Sequence, residues 1–240
     1  MKRYVSVFEM IARSSIYKVL LALGAMLVAQ GICFYMTMLS PGGVAIEDYI
    51  EQSQYSLIFK IAYVLITVIL VVPGMDIGSK QSYTLKRLRI RESRIFWLQA
   101  LYNFFAYVLL WGVQLMMLLG SAFVYQKNLP EGATYTNQTM FLAFYRNDFM
   151  HSILPLDDMS GWWFLVPMLV TTAFAAAEFT KLRREGKFGF ELLLLIATFL
   201  ISFPRELGHS NLFFIVAVCF VYFMMGFRWL MNHTLGGDES

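Results

Sequence analysis

Charge is what this sequence has least of. Only 15% of its 240 residues are Asp, Glu, Lys or Arg, against 58% hydrophobic, which leaves too little polar surface to cover a water-soluble domain. Two cysteines offer little: Cys33 and Cys219 sit in apolar stretches without CxxC or Cys/His ligand spacing, so no disulfide framework or metal site is expected and both read as small buried hydrophobes. Six prolines and 16 glycines are too few for a fibrous or low-complexity chain. There is no HExxH, no GxSxG and no intramembrane pair of carboxylates, and the three histidines, all in loops or the tail, leave little for acid–base work. The chain is therefore not expected to be an enzyme. A net charge of +3 is too small to suggest a nucleic-acid partner.

What is present is 22 Phe, 13 Tyr, 5 Trp and 15 Met, the material of an all-α, polytopic membrane protein with the lipid bilayer as its surroundings. About 20 apolar residues at 1.5 Å per residue cover the roughly 30 Å hydrocarbon core. Six segments are expected to cross, in a single transmembrane domain over 1–240: 16–39, 56–74, 95–125, 161–178, 188–203 and 211–231. The first exceeds a signal-peptide core and five more follow, so it is expected to be retained. Before it, Tyr4, Val7, Phe8 and Ile11 at helical spacing predict an N-terminal interfacial helix.

Lys and Arg are retained on the cytoplasmic side, and their distribution is lopsided. Only Lys127, Arg146 and Arg205 fall in the loops assigned outside, which also hold acidic residues such as Glu47, Asp48, Glu131 and Asp157. Both termini are thus expected in the cytoplasm, with Glu178 and Glu191 near the inner interface and within reach of water.

Three stretches carry candidate sites. The inner loop GMDIGSKQSYTLKRLRIRES between spans two and three sets Tyr83, Leu85, Leu88 and Ile90 among Lys86, Arg87, Arg89 and Arg91. This suits a surface helix that another protein grips, or a charge run that fixes topology and meets anionic lipid. Its Gly74, Gly78, Ser79 and Lys80 do not make the GxxxxGK[ST] spacing of a phosphate-binding loop. In span three, Gln99, Asn103, Tyr107, Gln114 and Ser121 fall within about 80° of one helix face. They either bond neighbouring helices or line a substrate path. The loop 126–160, expected outside, ends in MFLAFYRNDFMHSILPL, read as an outer-leaflet amphipathic helix. Phe141, Phe144, Tyr145 and Phe149 would face lipid there, with Arg146, Asp148 and His151 in water. Asp148 and His151 at i, i+3 permit a metal pair but read better as a solvated face, so no metal is assigned. In span four, Pro167 precedes Thr172, Ala173, Ala176 and Ala177, small residues that let another helix approach closely.

The stretch SYTLKRLRIRESRIFWLQALYNFFAYVLLWGVQLMMLLGSAFVY, with FLAFYRNDFMHSILPL after it, resembles small membrane (permease) subunits of ATP-binding cassette (ABC) transporters of Firmicutes. The resemblance rests on a YTL-x-RL element, here Tyr83, Thr84, Leu85, Arg87 and Leu88, followed by a long span with Tyr102–Asn103 and Trp111-x-x-Gln114. It covers about residues 79–156. In layout the chain is similar to type-two ABC exporter permeases, except that only Pro204 to Ser210 separate the last two spans, where such exporters often carry a sizeable hairpin. The resemblance implies a bacterial cell-membrane subunit that works with an ABC ATPase and a second membrane subunit, identical or homologous. It needs no cofactor of its own, since ATP and Mg belong to the partner ATPase. Tyr83, Thr84, Leu85, Arg87, Leu88 and Arg89 would couple ATP hydrolysis to the membrane helices. A membrane sensor or assembly scaffold presenting the basic loop is the alternative.

Overall fold

The computed structural model describes residues 2–39, 45–75, 92–128, 137–156, 159–187, 189–203 and 209–235. Among them every regular element is a helix: α1 (Lys2–Met38), α2 (Ile46–Gln52), α3 (Tyr55–Met75), α4 (Glu92–Lys127), α5 (Asn137–Arg146), α6 (Asp148–Ile153), α7 (Met159–Arg184), α8 (Glu191–Ser202) and α9 (His209–Leu235). Four stretches, Phe8–Met38, Tyr55–Val72, Ser93–Lys127 and Gly161–Arg184, are long and apolar enough to cross a bilayer, the mark of a multi-pass helical membrane protein. The segments expected at 188–203 and 211–231 correspond to α8, which is short, and to α9, which has 27 residues. At 12 residues, α8 is about 18 Å long, and the apolar stretch described in α9 covers Ile215–Arg228.

The four helices that carry these stretches close a ring in which α1 packs on α3, α3 on α7, α7 on α4 and α4 on α1. The most buried of the four stretches is that of α7. Its Thr172, Ala173, Ala176 and Ala177 are all buried, so neighbouring helices come close on this side, as their size predicts. The helix runs through Pro167 and ends where Gly186 takes φ +74°. There Lys187 N donates to Leu182 O (2.8 Å) and Gly186 N to Arg183 O (3.1 Å), a Schellman closure that needs the left-handed glycine. Lys181, Arg183 and Arg184 crowd that last turn, and the antiparallel α4 carries Arg94 in its first turn at the same end. This is the basic end of the bundle.

No Gly or Pro interrupts the chain before Gly24, and α1 accordingly runs unbroken from Lys2. The separate interfacial helix expected ahead of residue 16 is instead the first part of the first long helix. Its Phe8 and Ile11 pack on the core, with Phe8 edge-on to Tyr102 at 6.1 Å.

The single amphipathic helix expected over 139–154 is two helices broken at Asn147, whose side chain accepts from Met150 N at 3.0 Å and caps α6. Phe144 and Phe149, expected against lipid, are buried in the bundle, whereas Phe141 and Tyr145 remain exposed. Phe149 joins Phe59 of α3 and Phe203 just past α8, with ring centroids 5.3–6.0 Å apart. Cys33 is half-buried and Cys219 exposed, not buried as expected. Beside lipid an apolar side chain gains little from protein cover.

Candidate functional site

The polar face of α4 lies inside the bundle. Gln99, Asn103, Tyr107, Gln114 and Ser121 are all buried, and bonds from four of them reach three different helices. Asn103 Nδ2 donates to Ala173 O of α7 at 3.3 Å, Tyr107 meets Thr67 of α3 at 2.8 Å, and Ser121 meets Tyr55 of α3 at 2.6 Å. Gln114 Oε1 accepts from Gln30 Nε2 of α1 at 2.8 Å. One turn toward the basic end from Tyr107, Tyr102 accepts from Ser15 of α1 at 2.9 Å.

The hydroxyl members have a second hold on the backbone. Thr67 Oγ1 donates to Tyr63 O (2.8 Å) and Ser121 Oγ to Met117 O (2.9 Å), so the tyrosine hydroxyls act as donors to them. The two amides have less support. Gln30 Nε2 also reaches Tyr55 O at 3.4 Å, but Gln30 Oε1 and Gln114 Nε2 are buried without a partner. Of the two readings open to this stripe, helix-to-helix bonding is the arrangement seen, with the amide pair as its under-satisfied centre.

At the other end of the bundle the expected outer-loop residues group around α5 and α6. Exposed Arg146 lies 3.7 Å from Glu47, and Asn147 Nδ2 donates to Glu47 O at 3.2 Å, tying α2 to the turn. Tyr145 and His151 meet edge to face at 6.4 Å, while Asp148 is exposed. Among the described residues no three of His, Cys, Asp and Glu converge as metal ligands would. Tyr83, Thr84, Leu85, Arg87, Leu88 and Arg89 lie outside the described residues.

A charged cluster at the basic end was not foreseen. Arg228 of α9 sits between Glu178 of α7, at 3.4 Å, and Glu191 at the start of α8, which it also contacts. The two carboxylate side chains retain only 14% and 7% exposure, so they are not free in interfacial water, and a carboxylate pair stands at the edge of the membrane segments, where none is expected from the sequence. Glu178 Oε2 is buried without a partner. Gly189 makes the approach of Glu191 fit, because a Cβ there would lie 2.7 Å from both Glu191 Oε2 and Leu182 Cδ1. The signal in the sequence was a lone Arg at the end of an apolar run; Gln30, midway along the first span, was a similar one. No family model, no curated protein and no solved structure matches this chain.

Proposed function

We propose that the chain is the transmembrane subunit of an ABC transporter, an exporter of amphipathic peptides, lipids or drug-like molecules, driven by a separate ATPase subunit and completed by a second membrane subunit. In this reading both termini are cytoplasmic, the basic end faces the cytoplasm, and α8 and α9 supply the fifth and sixth crossings in a bacterial cell membrane. One observation carries the reading beyond the resemblance over residues 79–156. The basic segment 76–91 joins α3 to α4, and α4 is bonded through its polar face to α1, α3 and α7. A push on that segment by an ATPase would therefore act on a helix hydrogen-bonded to the other three of the ring. Two packings of the ring, biased by nucleotide state, would be the working cycle, and the hydrogen bonds of Asn103, Tyr107, Gln114 and Ser121 would exchange between them, with Gln99 on the same face.

The test is affinity purification of the tagged chain in mild detergent, followed by mass spectrometry and an ATPase assay. Stoichiometric recovery of a P-loop ATPase with a second membrane subunit is expected. In the reconstituted complex, L85A/L88A should then abolish substrate-stimulated hydrolysis while assembly persists. Recovery of the chain alone, or with a partner unrelated to transport, would replace this reading by that of a membrane sensor or scaffold.

A further inference from the structure

The position of α6 along the bundle can be measured with the helices themselves. Trp111 Nε1 of α4 donates to Ile153 O, the last residue of α6, at 2.8 Å, so the end of α6 is level with Trp111. From Arg94 at the basic end to Trp111 is seventeen residues, about 26 Å at 1.5 Å per residue. A second measure uses α7, where Trp162 meets Trp111 with ring centroids 6.4 Å apart and lies nineteen residues from Lys181, about 29 Å. A third uses α8: from Glu191, held in the charged cluster, to Phe203 beside Phe149 of α6 is twelve residues, about 18 Å. All three fall within the roughly 30 Å of a hydrocarbon core. By contrast α4 continues sixteen residues past Trp111 to Lys127, about 24 Å farther.

The backbone groups at the two ends of α6 are satisfied in the way a site without water requires, while its charged residue, Asp148, is exposed at the start of the helix. Asn147 caps its start, Trp111 takes the carbonyl of Ile153 at its end, Leu154 N returns to Met150 O, and Pro155 has no N–H to satisfy. The turn then closes tightly on α7, since a Cβ on Gly161 would lie 2.4 Å from Pro155 Cβ. Among the described residues from the end of α6 to Trp163 the large exposed side chains are apolar, Leu156 at 45%, Met159 at 77% and Trp163 at 76%; Asp157 and Asp158, which stand between Leu156 and Met159 in the sequence, lie outside the described residues. The apolar side chains continue the exposed apolar face of α7, which carries on through Val166.

We propose that the end of α6 and the turn at 154–156 are seated in the acyl layer of the leaflet farther from the basic end. Trp111 pins them there, and Leu156, Met159 and Trp163 are contacts for lipid chains. The occupant of this surface is lipid because the surface lies at hydrocarbon depth and is continuous with the flank of a spanning helix. The seating also accounts for the short α8: its far end meets α6 below the membrane surface, so the two together fill the depth that α8 alone does not reach. None of this depends on the transport reading.

The test is depth measurement by spin labelling of the full chain in phosphatidylcholine/phosphatidylglycerol vesicles. Single labels would be placed at Leu156, at Asn128 beyond the end of α4, and at Leu109 on its exposed flank, in a background with Cys33 and Cys219 changed to alanine. All three positions are at the protein surface, so labelling leaves the core intact. Leu156 should resemble Leu109, with several-fold lower accessibility to a water-soluble relaxer than Asn128 and high accessibility to oxygen. Accessibility at Leu156 equal to that at Asn128 would overturn the seating. In W111F the label at Leu156 should move toward water, and an unchanged depth would overturn the pinning by Trp111.

Discussion

The polar face of α4 and the charged cluster around Arg228 both tie helices together by polar contacts in an apolar bundle, but they do so in opposite ways. Along α4 the contacts are neutral, are distributed over the length of the helix, and mostly involve hydroxyls that also bond a backbone carbonyl. At the basic end three formal charges converge on one point, and a single guanidinium serves both carboxylates. The lesson is one of redundancy: neutral bonds fail one at a time, whereas the charged cluster depends on one residue.

The largest expected effect follows from that dependence. Removing Arg228 leaves Glu178 and Glu191 facing each other with little access to water, and breaking a buried ion pair from one side costs about 3–5 kcal/mol. R228L should therefore lower the thermal stability of the detergent-solubilised protein by a margin of that order and loosen the Arg228 end of α9, while Val221 and Tyr222 still hold the helix to α7 and α8. The sharper version of the test adds E178Q and E191Q to R228L. With no charge left to bury, most of the loss should be recovered, because desolvation of the orphaned carboxylates, rather than lost attraction, dominates the penalty. If the triple variant is no more stable than R228L, the cluster is not acting through buried charge.

Second comes the weakest point of the neutral network. Q114L removes the acceptor of Gln30 Nε2 and leaves Gln30 with its Oε1 still unpartnered, a change worth about 1–2 kcal/mol. Replacing both amides, as in Q30L/Q114L, should cost less than Q114L alone, since no buried polar atom of the pair then remains. The same unfolding experiment reads both. Y107F ranks lower. Thr67 keeps its bond to Tyr63 O when the phenol hydroxyl goes, so no polar atom is orphaned and about 0.6 kcal/mol, the usual size of a hydrogen bond between membrane helices, is expected. A loss from Y107F as large as that from Q114L would show that backbone back-bonding gives no protection.

How far this contrast could be read from the sequence depends on which interactions are local in the chain. The face of α4 follows from helical periodicity alone, and the burial of Gln99, Asn103, Tyr107, Gln114 and Ser121 agrees with it. Their partners Gln30, Tyr55, Thr67 and Ala173 belong to helices whose rotation about their own axes no periodicity fixes in so apolar a sequence. The Arg228 cluster is beyond such reading for a related cause, because its members lie 37 and 50 residues from the arginine and meet only once α7, α8 and α9 are packed. The break at Asn147 was visible in principle, since Asn ahead of Asp-Phe-Met is a cap signal. It was masked by an amphipathic pattern that runs straight through it. Helix length is a related case: the fourth span, expected to end at 178, continues as helix to Arg184, because apolarity marks the membrane-spanning part and not where the backbone hydrogen bonds stop.

A surface ion pair at the other end of the bundle completes the ranking and separates the effect of charge from that of burial. Arg146 and Glu47 are also oppositely charged and 3.7 Å apart, but the arginine side chain is 66% exposed. Water solvates the guanidinium whether or not the pair forms, and although the Glu47 side chain is only 19% exposed, pairs with one well-solvated partner contribute about 0–1 kcal/mol. R146A should leave the unfolding temperature within experimental scatter of the parent, at low salt as well as high. A clear destabilisation at low salt that vanishes at high salt would mean that the pair is working in a drier place than its exposure indicates. The whole α2–α5 contact would then have to be counted with the charged cluster at the basic end rather than with the solvated surface.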